Sequence, residues 1–281
     1  MILITGATGT VGRELVAQLL PSGIPLRAMT RDPSRADFPE SVEVVAGDLA
    51  QPSLLLRALK AVDQVFLLSA GSNSAEHDAN LIAAALEAGS PHIVKLSALS
   101  IARDAKDPIS TWHQAGEQAL RDSGLTWTFL RPGAFMSNAL RWAGSISSHD
   151  SVYAPYGEGR AAVIDPADIA AAAVAALTGL GHENTAYSLT GPAALSPGEQ
   201  VEILSEVLGR PLRFIPVPES AALDGMLKAG MPPIVADATM QTMAIALEPA
   251  GSQLEPTVEQ LAGRPARTFA EWAQAHRAAF G

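Results

Sequence analysis

Three glycines stand three residues apart at Gly6, Gly9 and Gly12, between an apolar run and an amphipathic stretch. A strand that turns this tightly into a helix makes an anion site. The helix N-terminus offers unpaired N–H groups and a positive dipole end, and glycine lets a pyrophosphate approach the backbone. Thr8, Thr10 and Val11 complete the turn, so the backbone from Gly6 to Gly12 is a candidate phosphate cradle. A second constellation lies at Met29 to Arg35. In dinucleotide sites an acid at the end of the second strand binds a ribose 2′-hydroxyl, whereas a base there accommodates a 2′-phosphate. Here the position is Thr30, followed by Arg31, with Arg35 one helical turn on. Guanidinium forks suit a phosphate bidentately, which favours NADPH. NADH remains the alternative if both arginines are solvated loop charges and Asp32 pairs with one of them or serves a ribose.

Three further segments hold short polar or small residues where a cofactor would lie. Asp48, followed by Leu49, is placed to meet an adenine edge or to serve as a plain N-cap for a helix near Pro52. Ser69 and Ala70 are small enough for backbone to approach a second ribose. Ser97 opens a hydroxyl-rich stretch at the height expected of a nicotinamide ring.

The elements that must position these residues alternate in the pattern of βαβ units. Strands are expected at Ile2–Thr5, Leu26–Thr30, Val42–Ala46, Gln64–Leu68, His92–Leu96 and Thr126–Leu130, with helices at Thr10–Leu20, Pro52–Lys60, Ser74–Ala88 and Ser110–Ser123. Several strands are continuous apolar runs, the signature of a parallel sheet covered on both faces. The expected fold is therefore α/β: a Rossmann-type doubly wound parallel sheet with a smaller C-terminal α+β lobe. Residues 1–150 form the nucleotide-binding domain in this reading, and residues 151–281 the substrate lobe, with elements near Ala161–Thr190 returning to the main sheet. In the lobe, helices are expected at Met136–Ser148, Ala167–Thr178, Pro197–Leu208, Glu219–Ala229 and Pro233–Ala246. Short strands are expected near Ser151–Ala154, Tyr187–Thr190 and Arg213–Pro216. Asp165, ahead of Pro166, reads as a helix N-cap.

Bulk composition excludes several function classes. With no cysteine in 281 residues, disulfide frameworks, thiolate zinc sites and cysteine nucleophiles are ruled out. A formal charge of −10 without any basic block argues against a nucleic-acid surface. The six histidines are scattered and lack metal-ligand spacing, so no metal is expected. The longest apolar stretch, Ile169 to Leu177, is far shorter than a membrane span, and no signal-like h-region follows Met1. A soluble cytoplasmic protein without membrane or nucleic-acid partners is expected. The oligomeric state, monomer or homodimer, is left open.

The glycine turn, Thr30-Arg31-Asp32-Pro33 and Gly47-Asp48-Leu49 together resemble the atypical short-chain dehydrogenase/reductases. So do His113-x-x-x-Glu117-x-x-Leu120-x-x-Ser123-Gly124 and Leu130-Arg131-Pro132-Gly133. Within that group the chain is most similar to the NmrA-like family, above all its type-2 NAD(P)H:quinone oxidoreductase and triphenylmethane reductase branches. The similarity runs almost the whole length, down to Leu261-Ala262-Gly263-Arg264-Pro265. It implies that Pro132, Gly133, Ala134 and Phe135 line the nicotinamide, and that Phe135, Met136 and Asn138 shape the substrate pocket.

One part of the wider pattern is missing. Most short-chain dehydrogenases use Tyr-x-x-x-Lys, in which Lys lowers the Tyr pKa for proton delivery. Aligned on Glu117, the Tyr position is Ile109 and the Lys position is His113. Isoleucine transfers no proton. Two expectations follow. Either hydride goes to an acceptor that needs little acid catalysis, such as an aromatic or quinone-like small molecule, or the cofactor is bound only as a redox signal. His113 is the candidate catalytic residue, as proton donor or ribose contact, against the alternative of a packed helix side chain.

Overall fold

The computed structural model describes residues 1–245 and 248–281. Along the first half the chain runs β1 (Ile2–Ile4), α1 (Thr10–Leu19), β2 (Leu26–Thr30), β3 (Val42–Ala46), α2 (Pro52–Ala58) and β4 (Gln64–Leu67). Then come α3 (Ser74–Ala88), β5 (His92–Leu96), α4 (Leu99–Ala102), α5 (Pro108–Asp122) and β6 (Trp127–Pro132). The second half holds β7 (Ala134–Phe135), a 3₁₀ segment Met136–Trp142, α6 (Ala143–His149), β8 (Ser151–Ala154), β9 (Ala161–Ile164), α7 (Pro166–Thr178), β10 (Thr185–Leu189) and β11 (Ala194–Leu195). It ends with α8 (Pro197–Leu208), β12 (Arg213–Pro216), α9 (Glu219–Lys228), α10 (Pro233–Ala244), α11 (Thr257–Ala262) and α12 (Phe269–Ala275). The expected helix end at Ala246 lies outside the described residues.

Seven strands form one sheet in the order β10-β6-β5-β4-β1-β2-β3. Every pairing in it is parallel, and the order reverses between β1 and β4. This is the Rossmann arrangement with one added strand, and its ligand crevice lies at the reversal, outside the carboxyl ends of the strands. Side-chain alternation explains the apolar runs. Ile2 and Ile4 enter the core beneath α1 and α7, while Leu3 enters the opposite core beneath α2, α3 and α5. On β5, Ile93 belongs to the second core and Val94 and Leu96 to the first, so Lys95 shares the α3/α5 face.

The second half of the chain is interleaved with the first. β10 pairs with β6 from Thr185↔Thr128 to Leu189↔Pro132, and the alanine-rich α7 buries nine residues against α1 and the sheet. Asp165 accepts from Ala167 N at 2.8 Å and caps α7. A third apolar core, centred on Trp272, Val152 and Leu204, joins α6, α8, α12, β8 and β12 into the smaller lobe.

The structure departs from the sequence expectation at several joints. The single helix expected over Met136–Ser148 is a 3₁₀ segment followed by a short α-helix that meets it at Trp142. β9 was not expected as a strand; it pairs with β7 and β11 in a separate three-stranded sheet. The fourth helix expected starts two residues earlier, because Asp107 caps it and Pro108 occupies its first turn.

Candidate active site

Because every strand of the main sheet is parallel, the glycine turn, Thr30–Arg35, Gly47–Leu49, Ser69–Ala70, Ser97 and Pro132–Asn138 all follow carboxyl ends on one edge. The glycine turn is built for a ligand. Gly9 is the N-cap of α1 and supplies no side-chain cap, and no acid stands in the first turn. The leading N–H groups, from Thr10 and Val11, therefore lack intrahelical partners. Gly6 sits at φ +61, and a Cβ on Gly12 would fall 2.2 Å from the Gly6 carbonyl oxygen. Only glycine lets strand, turn and helix close this tightly.

Beside the turn lies a groove lined by Thr8, Arg13, Thr30, Arg31, Asp32 and Arg35. None of its three arginines makes an ion pair among the described residues. Arg13 is braced by a 2.9 Å bond from Nε to the Thr8 carbonyl. Asp32 is already spent: its Oδ1 accepts from Ser34 N at 3.1 Å and Ser34 Oγ at 2.6 Å. A cluster of three guanidinium groups with no ion pair among the described residues, against a single carboxylate already bonded to Ser34, fits a phosphomonoester. Arg13 is the member that the sequence reading missed. It stands four residues after Gly9, at the close of the first turn of a helix whose uncapped start suits an anion, and that spacing is the signal that points to it.

Asp48 closes a turn on Ala50 N at 3.0 Å, while Gln51, not Asp48, is the N-cap of α2. Leu49 packs in the core, with its carbonyl taken by Asn80. Ala70, Ala134 and Asn138 are exposed and Phe135 is half-buried, whereas Pro132 is buried. Gly133 N donates to the Leu189 carbonyl at 2.9 Å, which ties the segment after β6 to β10. Met136 is 1% exposed and belongs to the core of the lobe, so its side chain is not a free pocket wall.

Two buried polar clusters lie beneath the carboxyl ends of β4, β5 and β6. In one, Lys95 Nζ meets Asp78 Oδ2 at 2.7 Å with both side chains wholly buried, and Ser69 Oγ donates to Asp78 at 2.7 Å. Gly116 makes room: a Cβ there would stand 1.8 Å from Asp78 Oδ2. In the other, buried Glu117 accepts from Ser97 Oγ at 2.7 Å, from Arg131 at 2.8 and 2.5 Å, and from Arg121 at 2.9 Å. Burial pushes the Glu117 carboxyl up. The hydrogen bonds from Arg131 and Ser97, with the charges of Arg131 and Arg121, outweigh that and hold it below the ordinary carboxylate range. The hydroxyls of Ser69 and Ser97 thus point into the protein.

His113 lies one turn of α5 beyond Ile109. Burial first, and the Lys95 charge second, lower its pKa to about 3 against weaker opposite pulls from Glu117 and Asp107. Its Nδ1 is buried with no hydrogen-bond partner among the described residues. A neutral imidazole donates one hydrogen bond and has no proton to release near neutrality. The place of the missing Tyr–Lys pair thus holds an isoleucine and a neutral histidine, with a lysine from β5 locked to aspartate beside them. Among the described residues no group of three His, Asp or Glu side chains is arranged to hold a metal ion, and no helix is long and apolar enough to cross a membrane.

Residues 6–179 match a family model described as NAD(P)H-binding, and the chain belongs to that family. It is 46% identical to a (4-alkanoyl-5-oxo-2,5-dihydrofuran-3-yl)methyl phosphate reductase from Streptomyces griseus, over 100% of this chain and 99% of the relative. It is 42% identical to an NAD(P)H azoreductase from Xenophilus azovorans, over 100% and 99%. Its fold is similar to that of an NADPH-dependent quinone oxidoreductase from Escherichia coli, solved with NADPH, at TM-score 0.87 and 28% identity over 99% of each chain. Fold, site and relatives define an NAD(P)H-dependent reductase of the Rossmann class.

Proposed function

We propose that this chain transfers hydride from NADPH to a small, flat, conjugated electrophile, with quinone-like acceptors foremost, and does so without an enzymic proton donor. The observation that carries the reading is the contrast at the start of α5: a neutral His113 and an inert Ile109 stand where a proton-transfer pair would be, beside a complete phosphate cradle. When bound, NADPH supplies the hydride, and the acceptor takes its balancing proton from water as NADP⁺ is released. The chain's own contribution is proximity and orientation. The uncapped start of α1 holds the pyrophosphate, Arg13, Arg31 and Arg35 take the 2′-phosphate, and the segment from Gly133 to Phe135 sets the ring against its acceptor.

The relatives support this class of substrate. One is named for an azo reduction, one for quinones, and one for an acylated unsaturated lactone phosphate; each such acceptor is a conjugated, electron-poor π system. Half-buried Phe135 supplies an apolar face for such a plane. The test is to mix the purified protein with NADPH and a panel of quinones, azo dyes, triarylmethane dyes and unsaturated lactones, and to follow the nicotinamide absorbance. Acceptor-dependent oxidation is expected. Tight NADPH binding with no acceleration by any acceptor overturns the reading in favour of a redox-sensing regulator.

A further inference from the structure

A second groove, of about 450 Å³, opens between the loop joining α4 to α5 and the C-terminal end of α10 with the residues that follow it. Its walls include Arg103, Lys106, Asp107, Gln241, Ile245 and Glu248. The volume falls within the range of small-molecule sites. Its location is specific: Asp107 is the N-cap of α5, two residues before Ile109, so the groove abuts the start of α5, where the proposed function puts the acceptor.

The two walls are fastened together. Thr242 Oγ1 on α10 donates to Asp107 Oδ1 at 2.7 Å, and Arg103 Nη2 donates to the Gln253 carbonyl at 2.7 Å. These bonds span 135 and 150 residues of chain, so the groove is a fixed feature of the fold.

The charges in the groove are unequally satisfied. The Asp107 carboxylate is committed to Ser110 N at 3.1 Å, to the Ser110 hydroxyl and to Thr242, and it sits on the positive end of the α5 dipole. The Gln241 amide donates to Asp237 at 2.7 Å. By contrast, Arg103 Nη1 is buried without a hydrogen-bond partner, and Lys106 is exposed with no ion pair among the described residues. Two acids oppose these cations: Glu248 in the groove wall, whose carboxylate has no bond among the described residues, and Glu255, whose charge reaches Arg103. A buried guanidinium nitrogen with nothing to donate to costs free energy that a bound acceptor atom would recover.

We infer that this groove is a subsite for an anionic substituent of the electrophile, a phosphate, sulfonate or carboxylate held by Arg103 and Lys106 while the conjugated ring lies by Ile109 and Phe135. Ile245, Ala105 and Ala250 supply apolar wall in the same groove, which suits an anion carried on a hydrocarbon or aromatic body. The inference rests on the reductase reading for its ring position, but the anion subsite can be measured without turnover.

The experiment pairs a naphthoquinone sulfonate with the unsulfonated naphthoquinone, on wild type, Lys106→Gln and Lys106→Arg, with the arginine groove by the glycine turn filled by saturating cofactor. Lys106→Gln is expected to raise the KM for the sulfonate about tenfold, the worth of one hydrogen bond to a charged group. The KM for the neutral quinone stays unchanged, and Lys106→Arg restores the sulfonate value. Calorimetric titration of the NADP⁺-saturated proteins with the sulfonate gives the same ratio as a dissociation constant. If neither quinone is reduced yet the calorimetric ratio holds, the subsite stands and the reductase reading fails. Equal binding of the sulfonate by wild type and Lys106→Gln overturns the subsite.

Discussion

Charged side chains at the two ends of the cofactor crevice are treated in opposite ways. At the glycine turn, Arg13, Arg31 and Arg35 are exposed, unpaired and gathered around an uncapped helix start. Beneath the ends of β4, β5 and β6, Lys95, Asp78, Glu117 and Arg131 are buried or nearly so, and each answers another within 2.5 to 2.8 Å. Open charge gathered around an uncapped helix start suits an anionic ligand. Closed charge fixes the relation of α3 and α5 to the sheet, and so sets the floor on which the acceptor is presented. This division also accounts for the missing proton donor, since the lysine near that position is fully committed to structure.

Breaking the closed cluster should produce the largest effect. Lys95→Met leaves the Asp78 carboxylate buried and unpaired, and loss of one partner from such a pair costs about 3–5 kcal/mol. Urea unfolding followed by circular dichroism is the check, and a midpoint close to wild type would show that the pair is dispensable. Gly116→Ala should act in the same direction, because its new Cβ overlaps the Asp78 carboxylate. Neither change should alter the preference for NADPH over NADH.

Opening the contrast from the other side gives the next effect. Arg31→Ala should leave the unfolding midpoint unchanged within about 0.5 kcal/mol, as for an exposed side chain without a partner. It should weaken NADPH binding roughly tenfold or more, by the loss of charge-assisted hydrogen bonds to phosphate, and barely change NADH binding. Arg31→Ala together with Arg35→Ala should bring the two affinities near to parity. Fluorescence titration with each cofactor is the measurement; an equal loss for both would place the 2′-phosphate elsewhere.

The open region was largely legible in the sequence, and the closed one was not, for a physical reason. Glycines that must close a turn and arginines that must face a ligand are tied to neighbours within a few residues, so spacing reveals them. The first six strands were legible likewise, since burial on both faces leaves continuous apolar runs such as Val65-Phe66-Leu67 in β4. Lys95 meets Asp78 across β5 and α3, and Arg131 meets Glu117 across β6 and α5, contacts set by sheet register and helix packing. The one local trace was a lysine inside the run His92–Leu96, at the inward phase of a buried strand. β9 was missed because its partners, β7 and β11, are two-residue strands far away in sequence. The 3₁₀ segment was missed because apolar residues at Met136 and Ala139, three apart, suit either helix type.

His113 tests the comparison most finely, because it lies in the closed region yet occupies a position where chemistry was expected. Its folded pKa of about 3 is below the unfolded value of 6.5. Between those values the unfolded chain binds a proton that the folded chain refuses. Its contribution to stability is therefore complete above about pH 6.5 and is lost as pH falls toward 3, at up to about 1.4 kcal/mol per pH unit. His92 is also lowered, chiefly by burial, and acts in the same direction. The informative quantity is thus the unfolding free energy of wild type minus that of His113→Leu, which should decrease as pH falls from about 6.5 to 4.5. The pH profile of kcat should carry no inflection from His113 between about pH 5 and 8, and none should vanish in His113→Leu. A bell-shaped limb near neutrality that disappears with the substitution would make His113 a titrating acid after all and return chemistry to the closed end of the crevice.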